Sequence, residues 1–346
     1  MVNVGVIGYG YWGPNLVRNF VESPDTQVLA IADMKSDRLQ LVARRYPGVE
    51  TVHDHRDLLK NPKIDAVAIS TPVSTHFPLA MEALQAGKHV LVEKPMTADS
   101  DQARRLIDEA ARRNLVLMVD HTFVYTGAVR KMRELISSGS LGDIYYYDSI
   151  RVNLGLFQHD VNVIWDLAVH DLSIMDYILP EEPVEVSATG IAHVSGAAED
   201  AAFVSLFYSG SIIAHLNVNW LSPVKIRRAL LGGTKSMIVY DDIEASEKIK
   251  VYDKGVVVKN SSESLHNLLV SYRSGDIYTP RIDVTEALSI EVKHFADCIK
   301  TGDIPITDGQ AGLRVVTILE AATRSIRQRG KSVRFGSLPA VRATVA

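Results

Sequence analysis

The chain has 346 residues, 47% of them hydrophobic and 23% charged, which gives room for about two ordinary globular domains and excludes a disordered or fibrous chain. Lys and Arg number 37 against 41 Asp and Glu, and the net charge of −4 excludes a global basic field that would draw in nucleic acid or anionic lipid. Cys298 is the single cysteine, so intrachain disulfides and thiolate metal clusters are excluded as well.

Two uncharged stretches bear on targeting. Residues 1–17 carry no basic n-region and are broken by Gly5, Gly8, Gly10, Gly13 and Pro14, which argues against a signal peptide. Residues 201–224 are long enough to span a bilayer, but Ser209-Gly210-Ser211 interrupts them. Ile212, Ala214, Leu216, Val218 and Trp220 then alternate with His215, Asn217 and Asn219, the period of a strand. The expectation is a cytoplasmic protein.

From the N-terminus, short apolar runs at 3–7, 27–32, 66–70, 89–92 and 115–119 alternate with amphipathic segments at 14–22, 36–46, 77–86 and 100–113. Gly87 stands as a stop after the third helix. This is the signature of βα units building a parallel sheet and predicts a doubly wound domain over 1–121. After a helix at 128–138 and a turn at 139–142 the period changes toward 2. Strands are predicted at 144–152, 184–191, 202–208, 212–220, 227–232, 236–241 and 248–252, with one helix at 165–179 ended by Pro180. Two last helices follow from the spacing of Leu288, Val292, Phe295 and Ile299, then of Leu313, Val316, Leu319, Ala322 and Ile326. The fold class is therefore α/β, with a Rossmann-type domain at 1–121 and an α/β domain at 122–346 built on a large, mostly antiparallel open sheet.

Gly8-Tyr9-Gly10-Tyr11-Trp12-Gly13 is a G-x-G-x-x-G placed directly after the first strand and at the opening of a helix. Gly8 allows the tight turn, Gly10 lets the backbone approach a pyrophosphate, and Gly13 lets helix pack on strand while the helix N-terminus faces the phosphates. Asp33 falls at the end of the second strand, about 20 residues on. A carboxylate there accepts hydrogen bonds from both ribose hydroxyls and repels a 2′-phosphate, which predicts NAD rather than NADP. Arg38, with Lys35, stands close behind and would pair with such a phosphate. Thr71-Pro72 and His76 follow the strand ending at 70 and are expected to line the crevice over the cofactor, the alternative being a strand stop and a residue in a helix's first turn.

Glu93-Lys94-Pro95 ends the next strand on the same carboxyl edge. There Lys94 would hydrogen-bond a substrate hydroxyl and stabilise a developing alkoxide, although the tripeptide alone reads more readily as a surface lysine before a proline. Asp166 and His170 are four residues apart and so share one helix face. A histidine titrating near neutrality can take the proton from an alcohol with a carboxylate nearby, the alternative being a buried structural imidazole. One Asp and His pair without a third ligand predicts no catalytic metal, and full activity after chelation.

Val4 through Gly10, Glu93-Lys94-Pro95, the Asp166 and His170 pair and the stretch from His294-Phe295 through Gly309 to Leu319 together resemble the glucose-fructose oxidoreductase, inositol dehydrogenase and MocA (Gfo/Idh/MocA) superfamily along nearly the whole chain. The resemblance implies a Rossmann domain, a second domain whose open sheet carries substrate on one face and usually a subunit contact, and Lys94, Asp166 and His170 as the catalytic group. Residues 10–19 and 165–171 are similar to nucleotide-sugar dehydrogenases that oxidise the C3 hydroxyl of UDP-N-acetylglucosamine or its uronic acid and pass the 3-keto sugar to a PLP-dependent aminotransferase. One departure is Ser173, where the common pattern has Asp three residues after the histidine.

The partners implied are a UDP-sugar, an aminotransferase acting on its product, and further copies of the chain. Substrate contacts are expected from Lys94, His170, Arg151, Asn153 and Asn162, with His159 and Arg227 as further polar candidates, each of which also reads as solvated surface. Tyr145, Tyr146 and Tyr147 would suit a uracil, although strand propensity explains them too. The basic tail from Arg324 to Arg334 reads as an exposed helix face rather than a nucleic-acid site. Competing readings are an NADPH-dependent 3-ketoreductase of a dTDP-deoxysugar, an inositol or free-sugar dehydrogenase, and an NAD-binding sensor without turnover.

Overall fold

The computed structural model describes residues 1–155, 161–194, 198–258 and 270–336. Within them the chain forms two compact units, one of Met1–Thr126 with Thr285–Glu320, the other of Gly127–Val284 with Ala321–Ser337.

The first unit starts as alternating strands and helices: β1 (Val2–Ile7), α1 (Gly13–Glu22), β2 (Thr26–Ala32), α2 (Ser36–Arg45), β3 (Glu50–Val52), α3 (His55–Lys60), β4 (Ala66–Ile69), α4 (Val73–Gln85), β5 (His89–Glu93), α5 (Ser100–Arg113) and β6 (Leu117–Asp120). The strands pair in parallel in the order β3-β2-β1-β4-β5-β6. All four residues of β4 are buried, as expected of a strand covered on both faces by helices. The order reverses between β1 and β4, and at such a switch point ligands bind beyond the carboxyl ends of the strands.

Local chemistry sets the element ends. Pro14 sits in the first turn of α1, where a missing N–H costs nothing. Asp99 accepts the Gln102 N–H at 2.7 Å to cap α5, and Gly87 takes φ +76° just past α4. β3 and α3 carry too short and too polar a pattern to be read from the sequence. α4 starts at Val73 rather than 77, because Pro72 in extended backbone already serves as its N-cap.

The second unit contains α6 (Gly127–Ser137), β7 (Ile144–Leu154), a π-helical turn (Ile164–Ala168) running into α7 (Val169–Ile178), β8 (Pro183–Ile191), β9 (Ala201–Tyr208), β10 (Ile213–Asn219), β11 (Leu221–Gly233), β12 (Met237–Asp241), β13 (Ile249–Tyr252), β14 (Gly255–Val258), β15 (Val270–Arg273) and β16 (Ile277–Tyr278). Then follow α8 (Ala287–Thr301), α9 (Gly309–Arg327) and β17 (Val333–Arg334). Nine strands form one sheet in the order β16-β13-β12-β11-β7-β10-β9-β8-β17, antiparallel throughout except for the β7–β10 pair. One face, with Ala214, Leu216 and Val218 of β10, is buried, and α7 lies on it. The other face carries the exposed Phe203, Phe207 and Ile213. The uncharged stretch at 201–224 is thus β9, β10 and the start of β11, and among the described residues no helix is long and apolar enough to cross a membrane.

The division differs from one continuous second domain beginning at 122. The chain re-enters the first unit at Thr285, where Phe295 of α8 meets Phe20 of α1 edge-on, with ring centroids 6.5 Å apart. Ahead of α9, the Thr307 hydroxyl donates to the Val119 carbonyl at 2.7 Å, fastening this segment to β6.

Candidate active site

In the first unit the glycine turn follows β1. Gly8 has φ +97°, and a Cβ there would fall 2.3 Å from the Ser70 carbonyl oxygen, so only glycine fits. A Cβ on Gly13 would fall 2.3 Å from the Gly8 oxygen, which explains the third glycine as a close-packing position. At Gly10 the same atom meets open space. The N-terminus of α1 therefore opens behind a bare stretch of backbone, the cradle a pyrophosphate requires. Tyr11 is 85% exposed, while Trp12 turns inward and donates its indole N–H to Asp120 Oδ2 at 2.8 Å.

The Asp33 carboxylate at the end of β2 is held by two backbone N–H donors, Tyr9 to Oδ2 at 2.7 Å and Lys35 to Oδ1 at 2.8 Å. It is fixed before any ribose arrives and keeps lone pairs for two hydroxyls. Arg38 is half-buried in α2. These features fit a bound dinucleotide, held by the glycine turn and Asp33.

Thr71 and Pro72 lie on the carboxyl edge after β4, as expected. His76 is only 1% exposed, and its nitrogens stand 2.8 Å from the carbonyl oxygens of Pro95 and Thr71. This places it as a tie between the turns after β4 and β5, in the first turn of α4, which is one of the two placements the sequence left open. The reason is that α4 begins early enough to turn this residue inward.

Glu93 and Asp120 are register partners at the carboxyl ends of β5 and β6. Glu93 Oε2 accepts the N–H of Lys94 at 2.9 Å, fixing the backbone that carries the lysine. Asp120 also accepts from the Thr122 hydroxyl. From α8, the fully buried Glu291 brings a third carboxyl. Burial and then Asp120 hold both Glu93 and Glu291 well above the usual carboxylate range. Beside them His121 is buried with neither ring nitrogen hydrogen-bonded among the described residues. Burial, with the nearby Lys94 cation, pushes its pKa down to about 3.

Asp120, His121 and Glu291 escaped the sequence reading. The first two end a strand just as Lys94 follows one, and Glu291 falls three residues after Leu288 on the buried side of its helix, so a signal was present.

In the second unit the π-helical turn and the start of α7 carry Asp166 and His170. From 162 to 175 every residue is buried except these two. A π turn inserts an extra residue into a helix and is frequent at functional sites. Asp166 Oδ2 accepts the Trp220 indole N–H at 3.0 Å.

The other expected substrate contacts divide. Arg151 is 2% exposed and gives its guanidinium to Asp171, Nε to Oδ2 at 2.6 Å, as a buried ion pair rather than a solvent-facing donor. Asn162 is buried too. Its Oδ1 accepts the Trp165 N–H at 3.2 Å and its amide donates to Glu199 at 2.9 Å, so it caps the π turn. Asn153 stays half-buried near the end of β7. Arg227 faces Asp242 at 3.3 Å, Tyr147 is buried while Tyr145 is 48% exposed, and His159 lies outside the described residues.

A six-stranded parallel sheet in the 3-2-1-4-5-6 order, with a G-x-G-x-x-G turn and an acidic residue closing β2, defines a dinucleotide-dependent oxidoreductase. Residues 2–121 match the oxidoreductase family with NAD-binding Rossmann fold, and residues 129–239 match the GFO/IDH/MocA C-terminal domain. The chain belongs to this Gfo/Idh/MocA family, and its first unit is the NAD-binding domain. It is 26% identical to the myo-inositol 2-dehydrogenase of Thermotoga maritima, over 95% of this chain and 97% of that protein. To the UDP-N-acetylglucosamine 3-dehydrogenase of Acidithiobacillus ferrooxidans it is 28% identical, over 91% of this chain and 94% of that one. A solved structure of the latter superposes with a TM-score of 0.77 at 27% identity, covering 94% and 98% of the two chains.

Proposed function

We propose that this protein is an NAD-dependent dehydrogenase that oxidises the C3 hydroxyl of a UDP-amino sugar, UDP-N-acetylglucosamine or its uronic acid, to the 3-keto sugar. The observation that carries the reaction type is that Asp166 and His170 alone are half-buried, and so reach solvent in part, along an otherwise buried stretch. An imidazole and a carboxylate kept accessible where every neighbour is covered suit proton abstraction. The sugar nucleotide is supported by the likeness in sequence and structure to a UDP-N-acetylglucosamine 3-dehydrogenase.

Lys94 donates to the C3 oxygen and steadies its developing negative charge. His170 takes the hydroxyl proton while the C3–H bonding electrons leave with the hydrogen, and Asp166 holds the imidazole and shares its charge. When bound, NAD supplies the hydride acceptor. Asp33 sets the preference for NAD over NADP by meeting an unphosphorylated ribose. The protein acts as a homo-oligomer, supported by the exposed Phe203, Phe207 and Ile213 on the open sheet face, and its keto product suits a PLP aminotransferase.

The test is absorbance of reduced nicotinamide with NAD and a panel of UDP-N-acetylglucosamine, its uronic acid, dTDP-sugars and myo-inositol, with and without 2-oxoglutarate as a recycling oxidant. Signal with a UDP-sugar alone supports the proposal. Turnover of myo-inositol alone moves the substrate to the second reading, a free polyol, which the Thermotoga relative favours.

A further inference from the structure

Asp166 and Asp171 flank His170 in the chain, and a side chain from the sheet grips each of them. Trp220, between β10 and β11, donates its indole N–H to Asp166 Oδ2 at 3.0 Å. The tryptophan is itself fixed. Its backbone N–H donates to Asp200 at 2.9 Å, and its carbonyl accepts from Gly155 at 3.0 Å. Its ring is 1% exposed, and a Cβ on Gly155 would come within 2.4 Å of it. On the other side, Arg151 Nε donates to Asp171 Oδ2 at 2.6 Å and the Ser149 hydroxyl to Oδ1 at 2.8 Å. Both donors stand on β7, and all of them are buried.

The two grips differ in kind. An indole is neutral, so Trp220 orients Asp166 without adding charge. A guanidinium both orients Asp171 and cancels its charge. Buried ion pairs of this sort contribute little net stability against apolar replacements of similar volume. What the pair does in this fold is hold the Asp171 carboxylate at one place against β7.

We infer that Trp220 and Arg151 are positioning residues for His170, sheet-borne donors that fix, through Asp166 and Asp171, where the imidazole stands and how basic it is. The inference rests on the proposal that His170 removes the substrate proton. Neither residue needs to touch the sugar or the dinucleotide. Loss of either donor therefore lowers kcat and moves the pH dependence while leaving binding intact.

Trp220→Phe keeps a ring in the pocket and removes the N–H. It is expected to lower kcat about tenfold, the loss of one hydrogen bond to a charged group, with NAD affinity and sugar KM within about twofold of wild type. The acid limb of the kcat/KM profile should shift. Arg151→Met alone strands the Asp171 carboxylate and risks misfolding, so it is paired with Arg151→Met/Asp171→Leu, which leaves no buried charge. That double variant is expected to fold and bind NAD as wild type does, with a similar fall in kcat.

An independent readout is the Trp220 indole N–H resonance in a ¹⁵N-labelled sample, assigned by its loss in Trp220→Phe and expected to move in Asp166→Asn. Wild-type kcat and pH profile in both Trp220→Phe and the double variant, with His170→Ala inactive, overturns the inference. Turnover by His170→Ala overturns the catalytic reading and this inference with it.

Discussion

The indole of Trp12 donates to the carboxylate of Asp120 at 2.8 Å, across 108 residues of sequence, and so ties the dinucleotide turn to the end of β6. The turn thereby has a fixed shape before phosphates arrive, and part of the ordering cost is removed from binding. Trp12→Phe is expected to weaken NAD several-fold, as loss of a charge-assisted hydrogen bond would. Thermal stability should change little. Titration calorimetry decides the point, since an unchanged dissociation constant means the turn holds its shape without Asp120.

Asp33 is already engaged by the Tyr9 and Lys35 backbone N–H groups. Asp33→Ala removes the ribose acceptor and the repulsion of a 2′-phosphate, leaving Lys35 and Arg38 to act. The ratio of kcat/KM for NAD over NADP should fall by about tenfold or more. A ratio equal to that of wild type would assign the discrimination to another residue.

His170→Ala and Lys94→Ala should each lower kcat by about a hundredfold or more with NAD affinity nearly unchanged. Stopped-flow transients with the active sugar separate the chemical step from product release. Normal turnover in either variant refutes that residue's role.

The buried groups of the first unit make stability depend on pH with opposite signs. His121 has its folded pKa depressed to about 3 from the ordinary 6.5. The unfolded chain therefore binds the extra proton, and stability is lost as pH falls from about 6.5 toward 3, by at most about 1.4 kcal/mol per unit. Glu93 and Glu291 have folded pKa values raised above the usual carboxylate range. Their contribution is complete below that range and is lost as pH rises through it and beyond. Scanning calorimetry across pH should show His121→Asn flattening the acid side and Glu291→Gln flattening the alkaline side. Parallel curves for wild type and either variant would contradict the assignment for that group.

The features legible along the chain were those that depend on neighbouring residues. Gly8, Gly13 and Asp33 were legible because a strand, a tight turn and a helix start are local, and glycine at a positive φ leaves its mark at one position. Asp166 and His170, the two half-buried residues of an otherwise buried stretch, were legible together because four residues is about one helical turn, and the period-2 alternation of β9 and β10 identified strands where length alone suggested a membrane span. Tertiary structure decided the partners of polar side chains. Arg151 reads from sequence as a ligand for a diphosphate, and its engagement with Asp171, 20 residues away, follows only from α7 lying on β7. His76 became a tie between two turns because α4 starts early. Trp220 reached Asp166 across 54 residues, and Glu291 came to Asp120 only because the chain returns to its first unit after Val284. Backbone conformation and hydrophobic period are set by adjacent residues and so appear in the sequence. A buried charge or hydrogen-bond donor is matched by whatever the fold brings within about 3 Å, and that choice is made in three dimensions.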